Sequence, residues 1–493
     1  MRLGDILVAR GMVTVQQVED ALNRQIAEGG RLGDNLVALG HLTNDQLDDV
    51  MHETPRTPKT LMGTAVSLAT LQTLLMKFLY VEQIDTTSGM AEAMKLPMNI
   101  ISQLFRDAEE KKYVQSISSE GVGLVADVRY ELSERGRAVA ADYLERSLYL
   151  GPAPVSLSAF QEQVLKQRIT NEVLDKSAIE ECFAGLIVPD FFTRQIGPAI
   201  NSGRTMLLYG PPGNGKTSIA TAVSKIFQHI IYVPYAIEVE GHIIQVYDST
   251  VHEPAVDEDS AAQLAQQTKG LRREDFDQRW MPVRRPVVVV GGEFSLEMLE
   301  LSYNPDSKYY EAPMHIKALG GTFIVDDFGR QLVAPEALLN RWIVPMESRI
   351  DFFKLKSGKS FYLPFDELLI FSTNLEPSDL MDPAFLRRIP YKIELFAPSK
   401  EDYRTIFDLV AKNSGLVVAD DVFDYVVEQL QDRNDYELAY YQPKFICDQV
   451  LAACKYESTS PEMTMDRVAD AMKNLYVKIE MDPPPRLTEL PSA

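Results

Sequence analysis

Eight consecutive residues, Gly210-Pro211-Pro212-Gly213-Asn214-Gly215-Lys216-Thr217, carry the spacing G-x-x-x-x-G-K-[ST]. Glycines at those places let backbone N–H groups turn inward around the oxygens of a phosphate. The pattern predicts that Lys216 reaches the β- and γ-phosphates of ATP or GTP and that the Thr217 hydroxyl holds Mg²⁺. Met206 to Tyr209 reads as a short buried strand. Ser218, the first residue of the helix expected to run to Phe227, completes the phosphate-facing set. A phosphate would then sit at a helix N-terminus, where the helix dipole favours negative charge.

Such a loop serves motors, kinases and switches alike, and the residues downstream narrow the choice. Thr322-Phe323-Ile324-Val325-Asp326-Asp327 is an apolar strand ending in two acids. A carboxylate organising Mg²⁺ must sit at a strand end beside the loop. Asp326 is the expected metal holder, and Asp327 is expected to orient the attacking water and take its proton. Leu368 to Thr373 is a third apolar strand, ending at Asn374, whose amide is placed to meet the γ-phosphate or that water. Arg387 and Arg388 follow a short helix. An arginine there can neutralise charge developing on a γ-phosphate held by a neighbouring subunit, with Arg388 preferred over Arg387.

The elements that must position these groups fill a long, acidic chain. There are 493 residues with a net charge of −22, room for three or four domains and poor material for holding nucleic acid by bulk charge. A local basic patch is still compatible with that balance. Arg272, Arg273, Arg284 and Arg285, flanking Trp280 in an expected insertion over about 235–286, form one candidate. The acidic stretch Val251 to Ser260 reads as an exposed loop of that insertion. No run of 18 apolar residues predicts a membrane span, and the N-terminus does not read as a signal peptide. Cys182, Cys447 and Cys454 lack metal-ligand spacing, so a cytoplasmic location is expected.

Residues 1–54 contain a repeat. Arg2-Leu3-Gly4-Asp5-Ile6-Leu7-Val8-Ala9-Arg10-Gly11 returns 29 residues later as Arg31 to Gly40, and 11 of 24 aligned positions are identical. Each unit reads as a short helix, a glycine turn and a longer helix capped by Thr14 or Thr43. The repeat resembles the N-terminal domain of type II secretion and type IV pilus assembly ATPases. That resemblance implies a docking module and makes cyclic di-GMP a candidate ligand. Residues 61–152 read as three helices, a strand, a glycine turn, a second strand and a helix. This order is similar to a winged helix-turn-helix. Its expected recognition segment, Met98 to Arg106, has one basic residue and is followed by Asp107, Glu109 and Glu110, which favours protein contact over DNA.

The order of loop, two-acid strand, asparagine strand, arginine pair and four-helix lid resembles the AAA+ ATPases over residues 156–480. The whole chain is therefore expected to be multidomain α/β. A P-loop AAA+ core (156–399) and a helical lid (400–480) would follow the all-α repeat domain and the winged-helix-like α+β domain, with a disordered tail at 481–493. The resemblance implies an ATP- and Mg²⁺-dependent homo-oligomeric ring, a hexamer as a rule, acting on a protein client or assembly. It also places Gly185 and Leu186 in the adenine-contacting segment and Lys444 at the lid position facing the nucleotide. Two departures stand out: the second acid is Asp327 rather than Glu, and the lid cation is Lys444 rather than Arg. Two alternatives stay open, a DNA-associated loader or regulator and a non-motor nucleotide-dependent switch.

Overall fold

A computed structural model of the chain describes residues 4, 7–8, 11–29, 32–43, 46–47, 50, 54–120, 127–172, 174–183, 186, 188, 190–255, 276–432 and 436–476. The expected tail at 481–493, the glycine turn at 121–123, Gly185, Arg272 and Arg273 lie outside them.

At the centre is a five-stranded, wholly parallel sheet. Its strands in chain order are β1 (Met206–Tyr209), β2 (Val287–Val290), β3 (Thr322–Val325), β4 (Leu368–Thr373) and β5 (Tyr391–Glu394). Their order across the sheet is β5-β1-β4-β3-β2. Every residue of β3 and β4 is buried, which is why both read as unbroken apolar runs rather than alternating ones. Register is shared along the sheet: Val325 lies opposite Phe371, and Thr373 opposite Tyr209. The carboxyl ends of β1, β3 and β4 therefore finish side by side. Helix α1 (Lys216–Ser224) follows β1, and α2 (Pro335–Ser348) follows β3.

Beyond the sheet, four helices form a separate apolar cluster: α3 (Lys400–Asn413), α4 (Asp420–Val427), α5 (Gln442–Glu457) and α6 (Met465–Lys473). A π-helical turn over Glu428–Asp432 continues α4. The last helix ends at Lys473, with Asn474 at its C-cap.

The described residues of the expected insertion contribute to a β layer, and residues 256–260 of its expected acidic loop lie outside the described residues. Ile230–Pro234 pairs antiparallel with Trp280–Arg284. Ala236–Val239 and His242–Gln245 join a second five-stranded sheet with Val155–Ser156, Ser302–Asn304 and Tyr309–Glu311. This corrects the arginine patch. Trp280 and Arg285 are only 4% and 6% exposed. The Arg285 guanidinium donates to Glu172 at 3.1 Å and to the carbonyls of Gln167 and Gly320. Arg284 alone of the described pair faces solvent, beside Glu253 at 3.6 Å. A buried, fully partnered guanidinium offers nothing to a polyanion.

The N-terminal segments pack onto this β layer. Thr14 and Thr43 each exchange side-chain and backbone hydrogen bonds with the glutamine three residues on, Gln17 and Gln46. These are the same capping boxes 29 residues apart. The turns also repeat: Met12 N donates to Leu7 O, and His41 N to Leu36 O. Residues 61–152 form helices Leu68–Val81, Thr87–Met94 and Met98–Glu110, the antiparallel pair Val114–Glu120 and Asp127–Leu132, and helix Glu134–Arg146. Ser67 N and Thr70 Oγ1 each donate to Glu238 at 2.9 Å, tying this unit to the second sheet.

Candidate functional site

The chain leaves β1 at Tyr209 and turns through the glycine-rich loop into α1. Gly210 and Gly213 take φ of 135° and 81°, where a Cβ is disfavoured. A Cβ on Gly210 would lie 2.3 Å from the Leu395 carbonyl oxygen, and one on Gly213 would lie 2.3 Å from the Tyr441 ring. Both glycines are therefore required by close approach as well as by backbone angle. No side chain caps α1, so its first N–H groups remain directed at the loop's concavity.

Lys216 is 6% exposed. Its Nζ donates to the carbonyls of Gly210 at 2.9 Å and Pro211 at 2.8 Å, folded back across the loop. Burial pushes its pKa down, against the upward pull of Asp326 and Asp327. The structure brings the distant polar groups together beside it. Thr217 Oγ1 donates to Asp326 Oδ2 at 2.7 Å. Asn374 Nδ2 donates to Asp327 Oδ1 at 3.0 Å. Asp327 has a left-handed φ of 48°, uncommon for a residue with a side chain and frequent at functional sites. Asn214 is 3% exposed, and neither its Nδ2 nor its Oδ1 has a hydrogen-bond partner.

These groups line one side of a cleft of about 960 Å³ between the sheet and the lid helices. Leu186, Val188, Phe192, Phe396, Ile406 and Leu409 form an apolar part of the wall, which suits a flat, weakly polar base. Lys444 lines the lid side, with its Nζ 3.4 Å from Asp448. Ser218 lines the cleft with the loop. The sequence reading missed Glu394, Phe396, Tyr440 and Tyr441, all in the cleft wall. Tyr440 and Tyr441 stand just before Pro443-Lys444, and that adjacency was the available signal.

The arginine pair is not in the cleft of its own chain. Arg388 is half-buried, its Nε 2.5 Å from Glu347 and its Nη1 donating to Ala384 O. Arg387 is exposed. Arg388, the preferred candidate, is thus held by contacts of its own chain, whereas Arg387 has its side chain exposed.

The donor set fits a nucleotide with Mg²⁺. One carboxylate and one hydroxyl, Asp326 and Thr217, are hard oxygen ligands that leave most positions of an octahedral ion to phosphate and water. Among the described residues no group of three or more His, Cys, Asp or Glu side chains could hold a metal by itself.

Residues 206–279 match the family model described as "ATPase family associated with various cellular activities (AAA)". The chain carries an AAA ATPase domain and is an ATPase. Residues 399–474, which span the four lid helices, match a "Domain of unknown function (DUF8689)". No curated protein matches the chain. Among solved structures, a RuvB mutant from Thermotoga maritima is 11% identical, with a TM-score of 0.32, over 62% of this chain and 73% of that one. NtrX from Brucella abortus is 13% identical, with a TM-score of 0.37, over 66% of this chain and 62% of that one. Among the described residues, no helix is long and apolar enough to cross a membrane.

Proposed function

We propose that the chain is a cytoplasmic AAA+ ATPase that assembles into a homo-oligomeric ring, with six subunits as the expected number, and couples ATP turnover to remodelling a protein assembly. The observation that carries this reading is the meeting of Thr217 with Asp326 and of Asn374 with Asp327 beside one glycine-rich loop. Lys216 and the α1 N-terminus hold the β- and γ-phosphates. Thr217 and Asp326 hold Mg²⁺, which when bound neutralises phosphate charge. Asp327 accepts the proton of the attacking water, with Asn374 fixing the carboxylate's direction. Leu186 contacts the base, and Lys444 faces the phosphates from the lid. Arg387 reaches the site of the next subunit, where an arginine stabilises the developing charge. The N-terminal repeat and the winged-helix-like unit recruit the client; a secretion or pilus system and a cyclic di-GMP ligand rest on resemblance alone.

The test is steady-state ATP hydrolysis against protein concentration for wild type, Lys216→Ala and Arg387→Ala. Specific activity that rises with concentration and is lost in both variants is the expected result. Activity that does not depend on concentration and survives Arg387→Ala would remove the shared site and the ring with it.

A further inference from the structure

Asp326 N donates to Val290 O at 2.8 Å, and two residues on Phe328 N donates to Ser372 O of β4 at 2.7 Å. Between these two bonds to the sheet lies Asp327, which adopts φ 48°. An unsupported turn relaxes toward negative φ, because the left-handed region crowds Cβ against the carbonyl. Within the turn, Asp327 N donates to Asp326 Oδ1 at 3.1 Å and Arg330 N to Asp327 O at 3.0 Å.

One further side chain bonds the carbonyls on both sides of the Asp327 Cα. Gln331 Nε2 donates to Asp326 O at 3.1 Å and to Asp327 O at 3.3 Å, and it reaches Gly291 O at 3.4 Å. Its Oε1 accepts from Gly329 N at 2.8 Å. The carbonyl of Asp326 belongs to the peptide plane before the Asp327 Cα, and the carbonyl of Asp327 to the plane after it. Holding both oxygens with one amide fixes φ and ψ of Asp327 together, and hence the direction of its Cα–Cβ bond. Phe328, buried against Phe371, anchors the other side of the turn, and its N–H donates to Ser372 O at 2.7 Å. Gln331 is not among the residues lining the nucleotide cleft, so it acts on the site through the turn.

We infer that Gln331 is a positioning residue for hydrolysis: its amide clamps the turn that aims the Asp327 carboxylate. The inference rests on the proposed role of Asp327. Only an amide of this length supplies both halves of the clamp. Glu keeps the acceptor for Gly329 N but sets a carboxylate against two carbonyls. Met keeps the length and neither half.

The experiment measures kcat, KM and ATP affinity by equilibrium binding for Gln331→Met and Gln331→Glu, alone and with Asp327→Asn. The expected result is a kcat about tenfold to a hundredfold lower in both single variants, since small misplacement of a reacting group costs that much. KM and ATP affinity stay within about twofold, because the lost interaction acts only on the chemical step. In the Asp327→Asn background neither change lowers kcat further, because residues acting as one unit are not additive. If one variant is unstable, the other supplies the same comparison. A kcat within about twofold of wild type, a parallel loss of ATP affinity, or an undiminished loss in the Asp327→Asn background overturns the clamp. A wild type that turns over ATP while Gln331→Met does so equally well overturns this inference alone. A wild type that binds ATP without turnover overturns the reading of Asp327 and this inference with it.

Discussion

The two ends of the central sheet treat carboxylates in opposite ways. At the carboxyl ends of β3 and β4, Asp326 and Asp327 stand adjacent, partly or fully exposed, and each accepts from a neighbouring hydroxyl or amide. At the amino end of β4, Asp366 and Glu367 are also adjacent but buried, at 8% and 0% exposure. Asp366 accepts from Ile169 N at 2.9 Å. Neither oxygen of Glu367 has a hydrogen-bond partner, and burial, reinforced by Asp351 and Asp366, pushes its pKa well above the ordinary carboxyl value. Two acidic pairs on neighbouring or shared strands thus differ in what surrounds them. Solvent and a cation can offset carboxylate charge at the open end, where ligands of parallel sheets bind. At the closed end the pull of Arg349 on Glu367 is outweighed by burial, which favours the protonated form.

The sharpest way to break that comparison is to change one acid at the open end. Asp327→Asn removes the proton acceptor and keeps the shape. Turnover of ATP should fall by about a hundredfold or more, while the melting temperature stays within about 2 °C. A melting temperature that collapsed with activity would make the pair at the open end structural, like its counterpart. A smaller effect is expected from Gly213→Ala. The added methyl meets the Tyr441 ring at 2.3 Å and imposes a side chain at φ 81°. Loop and lid must separate to admit it, and ATP affinity should weaken by roughly tenfold when measured by titration. Unchanged affinity would show that the lid does not need its contact with the loop to hold nucleotide.

The open end was the legible part of the molecule. Gly210 to Thr217, Asp326-Asp327 and Asn374 declare themselves because their residue types sit at the ends of unbroken apolar strands, and strand ends in a parallel sheet converge. Leu368 to Thr373 could be read as a buried strand for the same reason. The β layer was not legible: Ile230–Pro234 and Trp280–Arg284 pair across a long interval, and nothing local marks an antiparallel partner 50 residues away. Arg285 looked like part of a surface patch because its type says charge and only the fold says burial beside Glu172. The contact of Arg388 with Glu347, a partner 41 residues earlier in the chain, was likewise not legible. Gln331 carries no motif at all, and its role comes from where a turn places one amide.

The closed end yields the smallest and most specific effect. Glu367 has a folded pKa above its unfolded one, so between the two values the folded state holds a proton that the unfolded state has released. Stability then falls as pH rises, starting near the ordinary carboxyl value of about 4.3 and continuing upward toward the folded value. The slope approaches about 1.4 kcal/mol per pH unit inside that window. Buried His315 acts in the opposite sense. Its pKa is lowered, chiefly by burial, so its contribution to stability is lost as pH falls below about 6.5. Total stability therefore mixes the two, and the difference between wild type and Glu367→Gln isolates the carboxyl. The amide cannot ionise, and whatever its own unpartnered burial costs is the same at every pH. Melting curves at pH 5 and pH 8 should show the variant gaining on wild type at the higher pH by about 2 °C or more, with ATP turnover within about twofold. An offset that is the same at both pH values would mean that Glu367 finds a partner for its charge on ionising. The two ends of the sheet would then differ in their partners and not in their protonation.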